Sequence, residues 1–166
     1  CPSADVYENN REFFDRQADR GDRLFVYTCL TPGGNYLNRL LDLERLRIVY
    51  FGWLPARYPR IEGYLHWGAN QYLGVDPYKR SCCMFSEQLL EFHPKRAMFL
   101  PAGDFGIFYP GYREPYISVR SEAHRIGYED LCMLEALREK DPEREEEILD
   151  AVSRGCADYE KSVEKY

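Results

Sequence analysis

Five polar and aromatic side chains follow apolar runs of the sequence, and together they suit a ligand rich in hydroxyl groups. Tyr27 and Trp67 stand near the ends of two strand-like runs, and Asn70 follows Trp67 by three residues. Asp104 and Tyr109 lie in a stretch rich in glycine and proline. A flat ring can stack on a flat apolar surface of a ligand, while carboxylate, amide and phenol groups form directed hydrogen bonds with its polar groups. We therefore predict these five residues to be substrate-binding.

Each of these residues also has a structural explanation. Tyr27 could be a core tyrosine bonded to the backbone, and Trp67 could fill the core between a sheet and a helix. Asn70 could cap a loop. Asp104 stands close to two glycines, so its carboxylate could bind backbone N–H groups in a tight turn. Residue type and spacing leave both explanations open.

The cysteines and histidines do not form a metal-binding pattern. The six cysteines, at positions 1, 29, 82, 83, 132 and 156, include no Cys-x-x-Cys pair. The histidines, at positions 66, 93 and 124, are not spaced as metal ligands either. We predict no metal and no cofactor, and the redox compartment stays open.

Charge and hydropathy exclude two classes of partner. The chain has 22 basic and 28 acidic residues, a net charge of -6, and no basic stripe of the kind that binds nucleic acid. No apolar run approaches the roughly 18 residues of a membrane span. We therefore expect neither a nucleic acid nor a membrane among the partners.

Strand-like and helix-like segments alternate in the first part of the chain. Runs of β-branched and aromatic residues predict strands at 3–7, 23–28 and 61–67. Apolar residues at helical spacing predict helices at 8–20 and 37–53. Alternation of this kind is typical of parallel βαβ units. We expect the second and third strands to be parallel neighbours joined by a right-handed crossover.

The rest of the chain has a different pattern. Residues 71–115 are irregular, with a short strand predicted at 106–109, and residues 116–166 predict two helices that reach to about Val163. Asp141-Pro142 suits the start of the second helix, because Asp accepts free N–H groups and Pro fits the first turn. A complete (β/α)8 barrel typically needs about 250 residues. We therefore predict a single α/β region, the C-terminal portion of a (β/α)8 TIM-type barrel with parallel strands, a long irregular insertion and two C-terminal helices.

A barrel fixes which side chains reach its site. Inward-pointing residues at the carboxyl ends of the strands line the site. Leu24 and Val26 suit the helix-facing side of their strand, which leaves Tyr27 pointing inward. On the next strand Trp67 points inward by the same alternation, and His66 is expected to face the helices in a structural role.

Several short motifs occur in an order that resembles one known family. In chain order they are Tyr27-Thr-Cys29, Asn38-Arg-Leu-Leu-Asp42, Gly63-Tyr-Leu-His-Trp-Gly-Ala-Asn70, Asp76-Pro77, Pro101-Ala-Gly-Asp104, Phe108-Tyr-Pro-Gly111, Ile117-Ser-Val-Arg-Ser-Glu122 and Arg125-Ile-Gly-Tyr-Glu-Asp130. Over roughly residues 20–135, this order resembles the C-terminal region of glycoside hydrolase family 123 and of the related bacterial domain of unknown function 4091.

The resemblance implies an activity. It implies a barrel enzyme that removes a β-linked N-acetylhexosamine, such as N-acetylgalactosamine, by substrate-assisted retaining catalysis. The sugar's own 2-acetamido oxygen attacks the anomeric carbon, so no protein nucleophile is needed. In the family an adjacent Asp-Glu pair orients the acetamido group and protonates the leaving oxygen. In this context Tyr27 is expected to bind the acetamido carbonyl.

The family's Asp-Glu pair does not occur in this chain. None of its Asp residues is followed by Glu, and Glu129-Asp130 has the reverse order inside an amphipathic helix, which favours a structural role. We therefore expect the catalytic pair upstream of residue 1, in the preceding part of the same barrel, and an inactive isolated chain. The alternatives are a non-catalytic carbohydrate-binding module, with Tyr27, Trp67 and Tyr109 as platforms, and a structural module.

Overall fold

The computed structural model describes residues 1–72, 76–79 and 100–166, so Cys82, Cys83 and His93 lie outside the described residues. The described part is a mixed α/β structure. Its helices are α1 (Ala4–Asn9), α2 (Arg11–Ala18), α3 (Leu46–Arg57), α4 (Val119–Lys140) and α5 (Pro142–Val152). Its strands are β1 (Leu24–Thr28), β2 (Ile61–His66), β3 (Phe108–Tyr109) and β4 (Tyr116–Ile117).

Strands β1 and β2 are parallel neighbours, as predicted. Val26 lies beside Tyr64 and Thr28 beside His66, and α3 stands between the two strands in the chain. This arrangement is compatible with part of a barrel, although the described residues show no closed barrel. The handedness of the crossover stays a prediction.

The free edge of β1 is covered by the start of the chain. The N–H of Tyr27 donates to the carbonyl of Pro2 at 2.8 Å, and Ser3 forms a parallel bridge with Tyr27. The predicted strand at 3–7 is wrong beyond this point, because α1 begins at Ala4 and buries Ala4 and Tyr7 completely. Burial of these two side chains is achieved by a helical turn rather than by an extended strand.

The predicted helix at 8–20 is divided into two. Asn10 separates α1 from α2 with φ -133° and ψ 30°, which is not helical. Its side-chain amide donates to the carbonyl of Val6 at 2.9 Å and so occupies a carbonyl at the end of α1. Helix α2 ends at Ala18, and Gly21 follows with φ 103°, in the left-handed region that favours glycine.

Helix α3 begins at residue 46, not at residue 37 as predicted, and it continues past Trp53. The N–H of Leu37 donates to the carbonyl of Cys156 at 2.7 Å, and that of Leu41 to the carbonyl of Ala102 at 2.8 Å. Because distant carbonyls bind these N–H groups, the leucine-rich segment 37–45 is an ordered loop. The helical spacing of its leucines was misleading.

The core lies where α3 packs against β2 and α4. Most of α3 is buried, including Ile48, Tyr50 and Phe51. The backbones of α3 and α4 approach closely at two glycines. A Cβ atom on Gly52 would lie 2.0 Å from the carbonyl oxygen of Gly127, and one on Gly127 would lie 2.1 Å from the carbonyl oxygen of Val49. The two helices therefore touch backbone to backbone.

Helix α5 begins as predicted and ends early. The side chain of Asp141 accepts the N–H of Arg144 at 3.0 Å, and Pro142 occupies the first turn. The helix ends at Val152, so its predicted continuation to Val163 is wrong. Cys156 and Tyr159 are buried, as their apolar spacing suggested, but the backbone of Cys156 bonds to Glu8 and Leu37 instead of forming a helix.

Residues 108–109 of the predicted strand at 106–109 form β3, which pairs with β4 in an antiparallel hairpin. Among the helices of the described residues, none combines the length and apolar character that crossing a membrane requires.

Candidate functional site

The carboxyl ends of β1 and β2 face a loop that carries Asp104. The segment after β2 pairs with this loop: Asn70 forms an antiparallel bridge with Gly106, and the N–H of Ile107 donates to the carbonyl of Ala69 at 2.7 Å. We call this region the strand-end site. It comprises Tyr27, Trp67, Asn70, Asp104 and Tyr109, the five predicted residues.

Asp104 is the centre of the strand-end site. Its side chain is completely buried, and its Oδ2 accepts a hydrogen bond from Trp67 Nε1 at 2.9 Å. Its Oδ1 lies 3.2 Å from His66 Nε2 but has no hydrogen-bond partner among the described residues. The carboxylate thus holds the tryptophan ring and still has a free acceptor atom.

His66 is buried behind this carboxylate, on the helix-facing side as predicted. Its Nε2 donates to the carbonyl oxygen of Asp104 at 2.7 Å, because a carbonyl can only accept. Burial lowers the pKa of His66 and so favours a neutral imidazole. In that neutral ring Nδ1 accepts from the hydroxyl of Thr28 at 3.1 Å. The hydrogen of Nε2 is directed to the carbonyl, which explains why Asp104 Oδ1 stays unpaired.

Trp67 is directed outward from the end of β2. The side chain is 37% exposed, and its indole N–H is held by Asp104. A ring fixed at one edge and open to solvent can serve as a stacking surface. The structural alternative, a ring sealed in the core, does not match this exposure.

Tyr27 lies on the face of the sheet that is turned away from α3. Phe25 and Tyr27 are half-buried, whereas Leu24, Val26 and Thr28 on the opposite face are buried. Burial raises the pKa of Tyr27, and the neighbouring Cys29 thiol and Asp104 carboxylate raise it further. Tyr27 therefore lies within electrostatic reach of Asp104, on the open face.

Asn70 and Tyr109 lie on either side of the loop. Asn70 is exposed, and its backbone pairs with Gly106. Tyr109 is half-buried, 3.5 Å from a guanidinium nitrogen of Arg120, and its ring centroid lies 5.8 Å from that of Tyr72 and 6.2 Å from that of Tyr78. These contacts place polar and aromatic groups around the loop of Asp104.

Arg120 ties the surrounding loops together. It is almost completely buried, and Nη1 donates to the carbonyls of Arg39 at 2.9 Å and Gly103 at 2.8 Å, while Nη2 donates to the carbonyl of Gly106. The Tyr109 hydroxyl lies 3.5 Å from Nη2, so Arg120 braces the loop through neutral acceptors.

Arg39 is the residue that sequence reasoning missed. Its side chain is 4% exposed, and its Nε and Nη2 atoms are buried with no hydrogen-bond partner in the described structure. Burial lowers its pKa to about 10, which is still well above neutral, so the side chain stays positively charged. The position lies in segment 37–45, which was predicted as the first part of a helix and is a loop. Its place among Leu37, Leu40 and Leu41 was the available signal.

A second histidine lies within electrostatic reach of Arg39, His66 and Arg120. His124 of α4 hydrogen-bonds with the hydroxyl of Tyr64, and the two rings are stacked at 5.2 Å. Burial lowers the pKa of His124 to about 3, with further contributions from Arg39, His66 and Arg120. His124 is therefore neutral at ordinary pH. Within the described ranges, no group of histidine, cysteine and acidic side chains is arranged to hold a metal ion.

Comparison with known proteins gives one family. The model of the glycoside hydrolase 123 catalytic domain matches residues 2–137, which include the whole strand-end site. A search of the curated proteins gives no match.

Proposed function

The chain belongs to the glycoside hydrolase 123 catalytic-domain family, and from this we propose that it forms one wall of the sugar site of an enzyme that cleaves β-linked N-acetylhexosamine. Family membership indicates a glycosidase with a carbohydrate substrate. The specific sugar, close to N-acetylgalactosamine, and the substrate-assisted retaining route are part of the proposal.

The observation that carries the proposal is the fixed, open ring of Trp67. Its indole N–H is anchored to a completely buried carboxylate, and more than a third of the side chain is exposed at the carboxyl end of β2. The carboxyl ends of parallel strands are where barrel enzymes bind their substrates. In our proposal the pyranose stacks on this ring, with Asn70 and Tyr109 near its hydroxyl groups.

Tyr27 has a separate role in the proposed reaction. The acetamido oxygen of the sugar attacks the anomeric carbon, the bond to the leaving oxygen breaks, and an acid protonates that oxygen. Water then opens the cyclic intermediate, and retention follows from two displacements. The Tyr27 hydroxyl donates to the acetamido oxygen and helps to orient it. Asp104, being buried, supports this site by holding Trp67.

The acid pair is proposed to come from the preceding part of the same barrel. The face that carries Tyr27 also carries Leu65, which is 52% exposed, so this face is open to further strands. Further barrel strands packed against this face would cover Leu65 and bring the Asp-Glu pair to the strand-end site.

One observation favours a second function for the chain by itself. Because no Asp-Glu dipeptide occurs in the sequence, this chain alone could act as a non-catalytic carbohydrate-binding module. Both functions use the same sugar contacts. The enzyme also requires a general acid from the preceding part of the barrel, whereas the binding module requires none.

Calorimetric titration with N-acetylgalactosamine tests the sugar site. We expect Trp67→Ala to weaken binding by about 1–3 kcal/mol, the scale of a lost aromatic contact. Tyr112→Ala is the matched control, because Tyr112 is an aromatic residue that is 90% exposed. Equal affinity of the wild type and Trp67→Ala would refute the site.

Hydrolysis of an aryl N-acetylgalactosaminide separates the two functions. The chain alone is expected to show no turnover, since loss of a general acid typically costs about 100- to 10,000-fold. A longer product of the same gene that contains the Asp-Glu pair is expected to hydrolyse it. Binding without turnover in that longer product would favour the binding module.

A further inference from the structure

Two of the three guanidinium nitrogens of Arg39 are buried without an acceptor. Its Nε and Nη2 atoms have no hydrogen-bond partner among the described residues, and the side chain is 4% exposed. A buried guanidinium is costly unless acceptors satisfy its N–H groups. Another buried arginine, Arg47, shows the usual arrangement: it bonds to the Glu44 carboxylate at 2.6 Å and to the carbonyls of Gly34 and Tyr36.

The buried charges around Arg39 do not balance. Arg39 and Arg120 each carry a positive charge, and Asp104 is the negative group that acts on Arg39. His66 and His124 stay neutral because burial lowers the pKa of each. Arg120 does not supply the missing acceptor, since its nitrogens donate to backbone carbonyls. Among the described residues, the group formed by Arg39, Arg120 and Asp104 therefore has an excess of one positive charge, which one oxyanion would neutralise.

We propose that Arg39 binds an oxyanion, a carboxylate or a sulfate, carried by the saccharide that occupies the strand-end site. The planar fork of an arginine matches either group with two parallel hydrogen bonds. The inference rests on the proposed function, because it assigns an acidic substituent to the sugar that Trp67 would receive.

The unpaired atoms favour an acidic sugar over a simple anion. Besides the two Arg39 nitrogens, Arg120 Nε and the acceptor Asp104 Oδ1 are buried and have no partner in the described residues. A protein carboxylate or an inorganic sulfate supplies acceptors only. An acidic saccharide supplies oxyanion acceptors for the arginines and hydroxyl donors for Asp104 Oδ1. Asp104 also connects the surroundings of Arg39 with the proposed stacking surface, because its Oδ2 accepts the indole N–H of Trp67 at 2.9 Å.

Titration with three probes tests the proposal: D-glucuronate, its neutral counterpart D-glucose, and inorganic sulfate. The wild-type chain is expected to bind glucuronate at least about tenfold more tightly than glucose or sulfate, the effect of one charge-assisted hydrogen-bonded pair. Arg39→Met is expected to remove this preference, whereas Arg47→Met retains it. Sulfate binding as tight as glucuronate binding would overturn the saccharide assignment.

Thermal unfolding gives a second readout that does not depend on the ligand. Without ligand, Arg39→Met is expected to raise Tm, because it removes an unsatisfied buried charge, while Arg47→Met lowers Tm by removing existing hydrogen bonds. A Tm that falls equally in both variants would show that Arg39 has a partner within the folded chain and would overturn the proposal. If neither D-glucuronate nor a sulfated sugar such as D-glucose 6-sulfate binds, the proposal is likewise overturned.

The titration with N-acetylgalactosamine keeps this inference distinct from the proposed function. If that neutral sugar binds through Trp67 but glucuronate shows no dependence on Arg39, the inference alone fails. If glucuronate binding depends on Arg39 and Trp67→Ala does not change the affinity for N-acetylgalactosamine, the proposed function fails and the anion site remains.

Discussion

Two tryptophans of this chain make the same hydrogen bond in different surroundings. Trp53 Nε1 donates to Asp130 Oδ2 at 2.9 Å between α3 and α4, and Trp67 Nε1 donates to Asp104 Oδ2 at the same distance in the strand-end site. Trp53 is buried, and Trp67 is partly exposed. The same bond occurs once in the core and once in the proposed site. Variants at the two positions can therefore separate its effect on stability from its effect on sugar binding.

Replacement of Asp104 and of Asp130 by asparagine tests the two tryptophan hydrogen bonds separately. We expect Asp104→Asn to shift the indole N–H resonance of Trp67 and to weaken N-acetylgalactosamine binding several-fold, because the ring is held less firmly. Asp130→Asn is expected to shift the Trp53 resonance and leave sugar affinity unchanged. Nuclear magnetic resonance of the two indole groups and calorimetry give the two readouts. A similar loss of affinity in both variants would mean that Asp104 acts only through global stability.

At the same scale, the sequence predicted the faces of the strands on which Tyr27, Trp67 and His66 lie, but not the buried residues that support the strand-end site. Tyr27 and Trp67 could be assigned a face because strand alternation is strict. His66 could be placed opposite them for the same reason. Arg39 could not be placed, because its environment depends on contacts with residues that are distant in the sequence, such as Asp104 and Arg120.

Among the elements, the contact between α3 and α4 leaves no space for a side chain. A Cβ on Gly127 would lie 2.1 Å from a backbone carbonyl oxygen, which a change of rotamer cannot relieve. The helices would have to move apart, and α3 also packs against β2. The glycine pair therefore keeps both the helices and the sheet in position.

We expect Gly127→Ala to lower the free energy of unfolding by about 3 kcal/mol or more, as severe overpacking does. Gly33→Ala is the matched control, because a Cβ at Gly33 meets no atom within 4 Å, and its effect should stay within about 0.5 kcal/mol. Urea unfolding measures both. A small effect of Gly127→Ala would contradict the close approach of the two helices.

Local patterns were sufficient where residue type and alternation along a strand, or a cap within one helical turn, determine the element. Both strands of the parallel sheet were predictable, and so was the start of α5, where Asp141 and Pro142 act within one turn. Patterns failed at residues 37–45 and 153–163. In these segments the side-chain spacing suits a helix, but the backbone groups bond across the molecule, as Leu37 does to Cys156. A spacing pattern contains no information about such bonds.

At the scale of the whole molecule, folding removes two histidines from water in their neutral form. Burial lowers the pKa of His124 from its ordinary value of 6.5 to about 3 and also lowers the pKa of His66. The cationic Arg39 and Arg120 oppose protonation of His124 as well. Below pH 6.5 the unfolded chain therefore takes up protons that the folded chain does not.

The free energy of unfolding is thus expected to fall as the pH falls from about 6.5 toward 3, and to be highest above this range. Replacement of His124 by Gln should reduce the loss between pH 7 and pH 4 by on the order of 3 kcal/mol. Urea unfolding at several pH values measures the slope for each protein. An unchanged slope in the variant would mean that His124 is protonated in the folded state.

The three carbonyls that Arg120 holds belong to two loops, since Arg39 precedes α3 whereas Gly103 and Gly106 flank Asp104. The N–H of Leu41 also joins these loops by donating to Ala102. Neither loop can leave its place while the other keeps these bonds, so the two should open in a single cooperative event. In hydrogen–deuterium exchange, the amides of Leu41 and Ile107 would then share one opening free energy, and access to the strand-end site would be governed by one rate.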